Sequence, residues 1–210
     1  MILGTGAGLN YLAHILLADD SPEARIGGLL GDFVKGDPDG AFPPVMAREI
    51  RLHRQIDAFT DAHPTFLALR EHFPSERRRF AGIVLDVCFD HALARSWARW
   101  CTQDLPDFTR RFYGELEAHR ALLPDRLLKI LPALVEHDWL ASYRDFENVA
   151  YALERMAVRR LKRGDGLAAC VADARAATPA ILDGFEVLWP DVQAFAQRAR
   201  ATSAGSPLPR

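Results

Sequence analysis

The stretch Leu85-Asp86-Val87-Cys88-Phe89-Asp90-His91-Ala92-Leu93 sets two carboxylates and an imidazole inside an otherwise apolar run. A helix that is apolar nearly all round is a buried one. Asp86 and Asp90 stand at i and i+4, so on a helix they share a face. Two ionised carboxylates side by side in a protein interior are costly unless a cation or hydrogen-bond donors offset them. A bound metal ion is the simplest compensation, and its remaining ligands must then come from other segments.

Seven polar residues fall inside apolar surroundings: His14, Asp32, His53, Asp57, Asp86, Asp90 and His91. His53 and Asp57 are i, i+4 and flank the apolar stripe of Leu52, Ile56 and Phe59, which is good chelate spacing on a helix. Nitrogen and oxygen donors without sulfur suit a borderline-to-hard divalent ion such as manganese, magnesium, iron or zinc. The Asp90-His91 pair resembles the signature of the HD phosphohydrolase superfamily. Taken singly, an HxxxD spacing or an Asp-His dipeptide is common in helices that bind nothing. The combination is stronger, because three separate apolar helices each carry buried acids, and a buried charge needs a partner.

The elements that must position these residues read as helices throughout. A short apolar helix covers 9–19, with His14 in its middle. Asp19-Asp20-Ser21-Pro22 ends it, and Ser21 caps a second helix running to about Val34 with Asp32 near its end. A third covers 45–61 and bears His53 and Asp57, with Asp61 one further turn on. The central helix, 75–101, carries Asp86, Asp90 and His91. Further helices are expected from Leu105 to Leu123, from Leu127 to Val135, from Ser142 to about Lys162, and over 167–200 with Pro179 and Pro190 inside. No run alternates as a strand would, and no repeat is present. The reading is an all-α, single-domain helical bundle over 9–200, with a loose tail at 1–8 and a disordered one at 201–210.

Length and composition agree with one domain: 210 residues, 49% hydrophobic, with a net charge of −2. That balance points to neither nucleic acid nor an anionic membrane, and no apolar run approaches the roughly 18–20 residues of a bilayer span. The three cysteines, Cys88, Cys101 and Cys170, form no CxxC pair. They fit a reducing cytoplasm rather than a disulfide framework or thiolate zinc site. Cys88 reads as a small core residue, and His63, His72, His119 and His137 as surface residues.

Four segments resemble the acyl carrier protein phosphodiesterase family in order and spacing. They are Asn10-Tyr11-Leu12-Ala13-His14, Gly31-Asp32-Phe33-Val34-Lys35-Gly36, His53-Arg54-Gln55-Ile56-Asp57 with Thr60-Asp61, and Leu85-Asp86-Val87 with Asp90-His91. Trp139-Leu140 with Tyr143-Arg144-Asp145 is similar to a fifth. The chain has Gly27-Gly28 where the family often has Gly-Asn. The resemblance implies a divergent, helical, HD-phosphohydrolase-like hydrolase that uses manganese, or magnesium, iron or another divalent ion. Its reaction would release 4′-phosphopantetheine from holo-acyl carrier protein. On that reading His53, Asp57, Asp86 and Asp90 supply most metal ligands, with Asp32 a further candidate. His14 and His91 serve as second donors, phosphate contacts or the general acid. Which of these touch the ion stays open at this point.

An acidic carrier needs a basic face to steer it. Arg48, Arg51 and Arg54 project along one arc of the helix that bears His53; Arg159-Arg160 with Lys162-Arg163 is a second cluster, remote from the site in sequence. Two other readings compete: an HD-type phosphohydrolase acting on a nucleotide or other small phosphoester, and a non-catalytic helical binding module whose buried Asp and His are structural pairs.

Overall fold

Proline and serine set where the first helices begin. In the computed structural model, which describes residues 10–159 and 165–204, helix α1 (Tyr11–Leu17) is separated from α2 (Pro22–Leu30) by a capped break. The Ser21 hydroxyl accepts a hydrogen bond from the Ala24 N–H at 3.1 Å, and Pro22 takes the first helical position. Pro44 and Pro64 open α3 (Pro44–Ala62) and α4 (Pro64–Arg70) in the same position. Helices α5 (Arg78–Arg95), α6 (Leu105–Ala118), α7 (Asp125–Glu136), α8 (Trp139–Ser142), α9 (Phe146–Arg159) and α10 (Asp165–Ala204) complete the order. The described residues contain no strand; an isolated bridge joins Asp39 and Phe42.

Helix α5 is the centre of the bundle because it is apolar on almost every side. It packs against α1, α4, α9 and α10. Phe89 sits between Phe66 of α4 and Phe185 of α10, with ring centroids 6.0 and 5.9 Å away. Helix α2 is wedged between α1 and α3 and is fastened to α6 by Arg25. That buried guanidinium donates to both Glu115 oxygens, at 2.8 and 2.5 Å, and to Asp20 at 2.7 Å. Paired hydrogen bonds of this kind fix geometry as well as adding energy.

Four helix boundaries differ from those the sequence pattern suggests. Helix α2 stops at Leu30, where the Phe33 and Val34 N–H groups both turn back to the Leu30 carbonyl, so Asp32 lies in a turn. Helix α5 stops at Arg95. Ser96 follows, accepting the Trp100 indole N–H at 2.9 Å while its own hydroxyl donates back to Ala92. The helix expected from Ser142 begins instead at Phe146, after α8 has ended at Ser142, with the Asp145 carboxylate accepting the Glu147 N–H at the new start. Helix α10 runs through Pro179 and Pro190, both exposed, and reaches Ala204, into the stretch read as a tail. The expected tail at 1–8, the run from Arg160 to Arg163 and residues 205–210 lie outside the described residues. No helix among those described is long and apolar enough to cross a membrane.

Candidate metal centre

The site begins with two glycines, Gly28 on α2 and Gly31 at its C-terminal cap. A Cβ on Gly28 would lie 2.8 Å from the His14 carbonyl oxygen, and one on Gly31 would fall inside the His53 ring. Lacking side chains there, α2 lets α1 and α3 close over it. The His14 and His53 rings then stack with centroids 3.6 Å apart and planes 21° from parallel. Both face Asp57. His14 Nε2 is 3.0 Å from Asp57 Oδ1, and His53 Nε2 is 3.2 Å from Oδ2. Asp32 brings a further oxygen to 3.9 Å from His53 Nε2. One ligand atom each from His14, His53 and Asp57 can be chosen so that all lie within 4.8 Å of one another.

The hydrogen bond on the far side of His53 decides what this cluster wants. Its Nδ1 lies 2.7 Å from the Gly28 carbonyl oxygen, which only accepts, so Nδ1 carries the proton. In the neutral ring Nε2 is then a bare lone pair aimed at carboxylate oxygens. Acceptor against acceptor is repulsive unless a cation lies between: a proton, or a metal ion. Histidines that bind metals are commonly oriented through such a carbonyl on the other nitrogen.

The electrostatics agree. Burial acts to lower the His53 pKa, but its bond to Asp57 and the nearby charges outweigh this and raise it. For His14 burial wins, with His53 adding to it, and the pKa falls. Burial alone would raise Asp57; the two histidines hold it well below the usual carboxylate range instead. Burial, then the neighbouring acids Asp57, Asp32, Asp90 and Asp61, push Asp86 well above its ordinary value, and its Oδ1 is enclosed without a hydrogen-bond partner. Asp61 is pushed up to about 6 by burial and by Asp57. Asp32 is raised too, by burial first. A cluster of acids held partly neutral only by protons is what a divalent cation would relieve.

The other sequence-chosen residues are placed as follows. Asp90 is fully buried, and its two oxygens accept the Leu12 and Ala13 N–H groups of α1 at 2.8 and 2.9 Å. Its carboxylate thus caps the helix carrying His14. Burial pushes its pKa up to about 7 against those two bonds. His91 points elsewhere. Its Nδ1 donates to the Tyr143 carbonyl at 2.7 Å, and it lines a cleft with Arg95, Phe146, Arg175 and Asp183. It is not part of the His14–His53–Asp57 cluster. Arg48 pairs with Asp19 (3.0 Å) and Glu49 (3.2 Å), and Arg51 with Asp39 (2.6 Å). Arg54 donates to the Gly36 and Val34 carbonyls. These three arginines bind the chain's own loop and acids before any partner. Cys88 is buried and its thiol is pushed up to about 12, as a core residue should be.

Two residues beside the site escaped the sequence reading. The Tyr11 phenol is raised by burial and by the charges of Asp32, Tyr143 and Asp86, and lies in the motif that carries His14. Arg126, in the first turn of α7, stacks on the Phe33 ring, 5.2 Å from its centroid, and donates to the Asp32 carbonyl at 3.3 Å. The available signal was an arginine where the positive end of a helix dipole disfavours it.

Fold and site together define an all-α protein built round a buried His–His–Asp cluster with the spacing of a divalent-metal centre. The family model for acyl carrier protein phosphodiesterase matches residues 9–192. The chain therefore belongs to the acyl carrier protein phosphodiesterase family, and it is a hydrolase. Relatives of that name include one from Escherichia coli, 37% identical over 195 residues, covering 90% of this chain and 98% of its own. Those of Serratia proteamaculans and Yersinia pestis are each 37% identical, over 153 and 157 residues. They cover 72% and 73% of this chain, and 79% and 80% of their own. No solved structure matches the chain.

Proposed function

We propose that this protein hydrolyses the phosphodiester joining 4′-phosphopantetheine to a serine of holo-acyl carrier protein, with a divalent ion held by His14, His53 and Asp57. The observation that carries the reading is the His53 ring, whose carbonyl-bound Nδ1 leaves Nε2 facing the Asp57 carboxylate at 3.2 Å. Asp86, with an enclosed and unpartnered oxygen, and Asp32 are the further oxygen donors. A mixed His and Asp set suits manganese or ferrous iron, with magnesium or another divalent ion as an alternative. When bound, such an ion neutralises phosphate charge and lowers the pKa of a water towards about 7.

The chain's own groups do the rest. Asp32 and Asp57, 19% and 15% exposed at the side chain, form the rim through which water and phosphate reach the buried histidines. Water oxygen attacks phosphorus, the bond to the serine oxygen breaks, and that oxygen takes up a proton. Asp61, half-buried one helical turn beyond Asp57, is the carboxyl assigned to hold and pass that proton. Asp90 and His91 are assigned positioning roles in this scheme. Asp90 holds α1 and so His14, and His91 anchors the Tyr143 segment. The products are apo-carrier and free 4′-phosphopantetheine. Three free cysteines, two of them buried, fit a cytoplasmic setting.

A small phosphoester remains the second reading, favoured by the way Arg48 and Arg51 are already paired with local acids. Turnover of holo-carrier beside that of bis(p-nitrophenyl) phosphate separates the two. The proposal expects Asp57-dependent cleavage of the carrier at far higher kcat/KM. Preference for the small diester would overturn it.

A further inference from the structure

Arg126 is the cation beside Asp32 whose role the metal cluster does not explain. It is half-buried on α7, with its guanidinium fixed on one face by the Phe33 ring and at Nη1 by the Asp32 carbonyl. Its Nη2 is enclosed and has no hydrogen-bond partner among the described residues. Its charge acts on the Asp32 carboxylate and on the Tyr11 phenol, so it lies at the rim of the site. Yet no ion pair within 4.0 Å joins it to Asp32 among the described residues, although a free arginine beside a carboxylate would close on it. An enclosed cationic N–H without an acceptor is costly, and a cation in the first turn of a helix opposes the helix dipole. Both costs are offset if an anion pairs with the half-buried guanidinium of Arg126.

We propose that Arg126 is a substrate-binding residue, donating to a non-bridging oxygen of the phosphate as it sits against the Asp32–Asp57 rim. This rests on the phosphodiester reading for the nature of the anion. A planar guanidinium with its orientation already fixed suits a tetrahedral oxyanion better than a mobile ammonium would. Phe33 and the Asp32 carbonyl are the fixtures: both belong to the turn after α2, so the phosphate contact and the Asp32 carboxylate are set by one short segment. Tyr11, whose ring lies 5.7 Å from Phe33, closes the same side.

The test is titration of the manganese-loaded protein with inorganic phosphate, for wild type, Arg126→Ala and Arg126→Lys. Metal content and Tm are measured on the same samples, and kcat and KM on holo-carrier. A charge-assisted contact predicts phosphate affinity about 10- to 100-fold weaker in Arg126→Ala, with Arg126→Lys between it and wild type. Metal content should hold, and kcat/KM should fall in step with the affinity. Three results overturn the proposal: no phosphate binding by wild type, unchanged affinity in Arg126→Ala, or joint loss of metal and Tm in both variants. Arg126-dependent phosphate binding by a protein that leaves holo-carrier intact would sustain this inference while refuting the proposed substrate.

Discussion

His53 carries the narrowest constraint on the site, because a carbonyl at Nδ1 and carboxylates at Nε2 leave its ring in need of a cation, a proton or a metal ion, at Nε2. Asp57→Asn removes the charge that both histidines face. It should abolish tight metal retention, measured by elemental mass spectrometry, and lower kcat/KM by more than the roughly 10–100-fold typical of outer partners. The acids also predict a pH dependence. Without metal, Asp61 (about 6) and Asp86 (raised) bind more protons folded than unfolded, since a free Asp titrates near 3.9. Stability of the metal-free protein therefore falls as pH rises above about 4, with the Asp61 share lost by about 6 and the Asp86 share at higher pH. Asp57 acts oppositely: its contribution is present above about 4 and lost in stronger acid. A metal needs its carboxylate ligands, Asp57 and Asp86 among them, deprotonated, so the Tm gain on adding manganese should be larger at about pH 8 than at about pH 6. An equal gain at both would argue against carboxylate and imidazole ligation. At this scale the sequence showed which residues are anomalous, because a buried acid in an apolar helix is visible as pattern. It could not show which of Asp86, Asp90 and His91 faces the cluster: adjacent residues differ by about 100° round the helix, and only packing decides.

Helix α2 is the element that sets the distance between His14 and His53. Gly28 within it and Gly31 at its cap are where side chains would collide with the neighbouring helices. Gly31→Ala should force the His53 ring aside, lowering metal affinity as well as stability, the latter by about 1–3 kcal/mol as overpacking generally does. Calorimetry with and without manganese checks both. Asp90→Ala removes the cap of α1 and should lower stability by about 1–2 kcal/mol, moving His14 with it. Metal affinity then falls although no proposed ligand is changed. The helices themselves were legible because Ser21, Pro22, Pro44 and Pro64 mark their starts and apolar periodicity marks their lengths. The end of α2 was not, since Leu29 and Leu30 followed by Phe33 and Val34 continue the apolar pattern through the turn that closes on the Leu30 carbonyl. Asp90 as a cap was equally hidden, because its partners lie 77 and 78 residues away in sequence.

As a whole, the molecule is a helical bundle with α5 at its centre and a cation-seeking cluster at the junction of α1, α2 and α3. Its net charge of −2 gives no general attraction to an acidic carrier. Arg51, 43% exposed at the side chain but paired with Asp39, is the most accessible of the three arginines proposed for docking. Arg51→Glu should raise KM for the carrier a few-fold, more at low salt, with kcat unchanged, as a rim charge does. An unchanged KM at all salt concentrations would remove this face from the docking surface. The basic character of the arc was plain in the sequence. Its neutralisation by Asp19, Glu49 and Asp39 was not, because those pairings depend on where the 34–43 loop and the α1–α2 turn come to rest. The most direct measurement of the central claim is the intact mass of holo-acyl carrier protein after incubation with this protein. It is made with added manganese, and again with excess chelator. Loss of the phosphopantetheine mass with manganese, and its retention with chelator, is the predicted result. Retention of that mass with manganese shown to be bound would contradict the account.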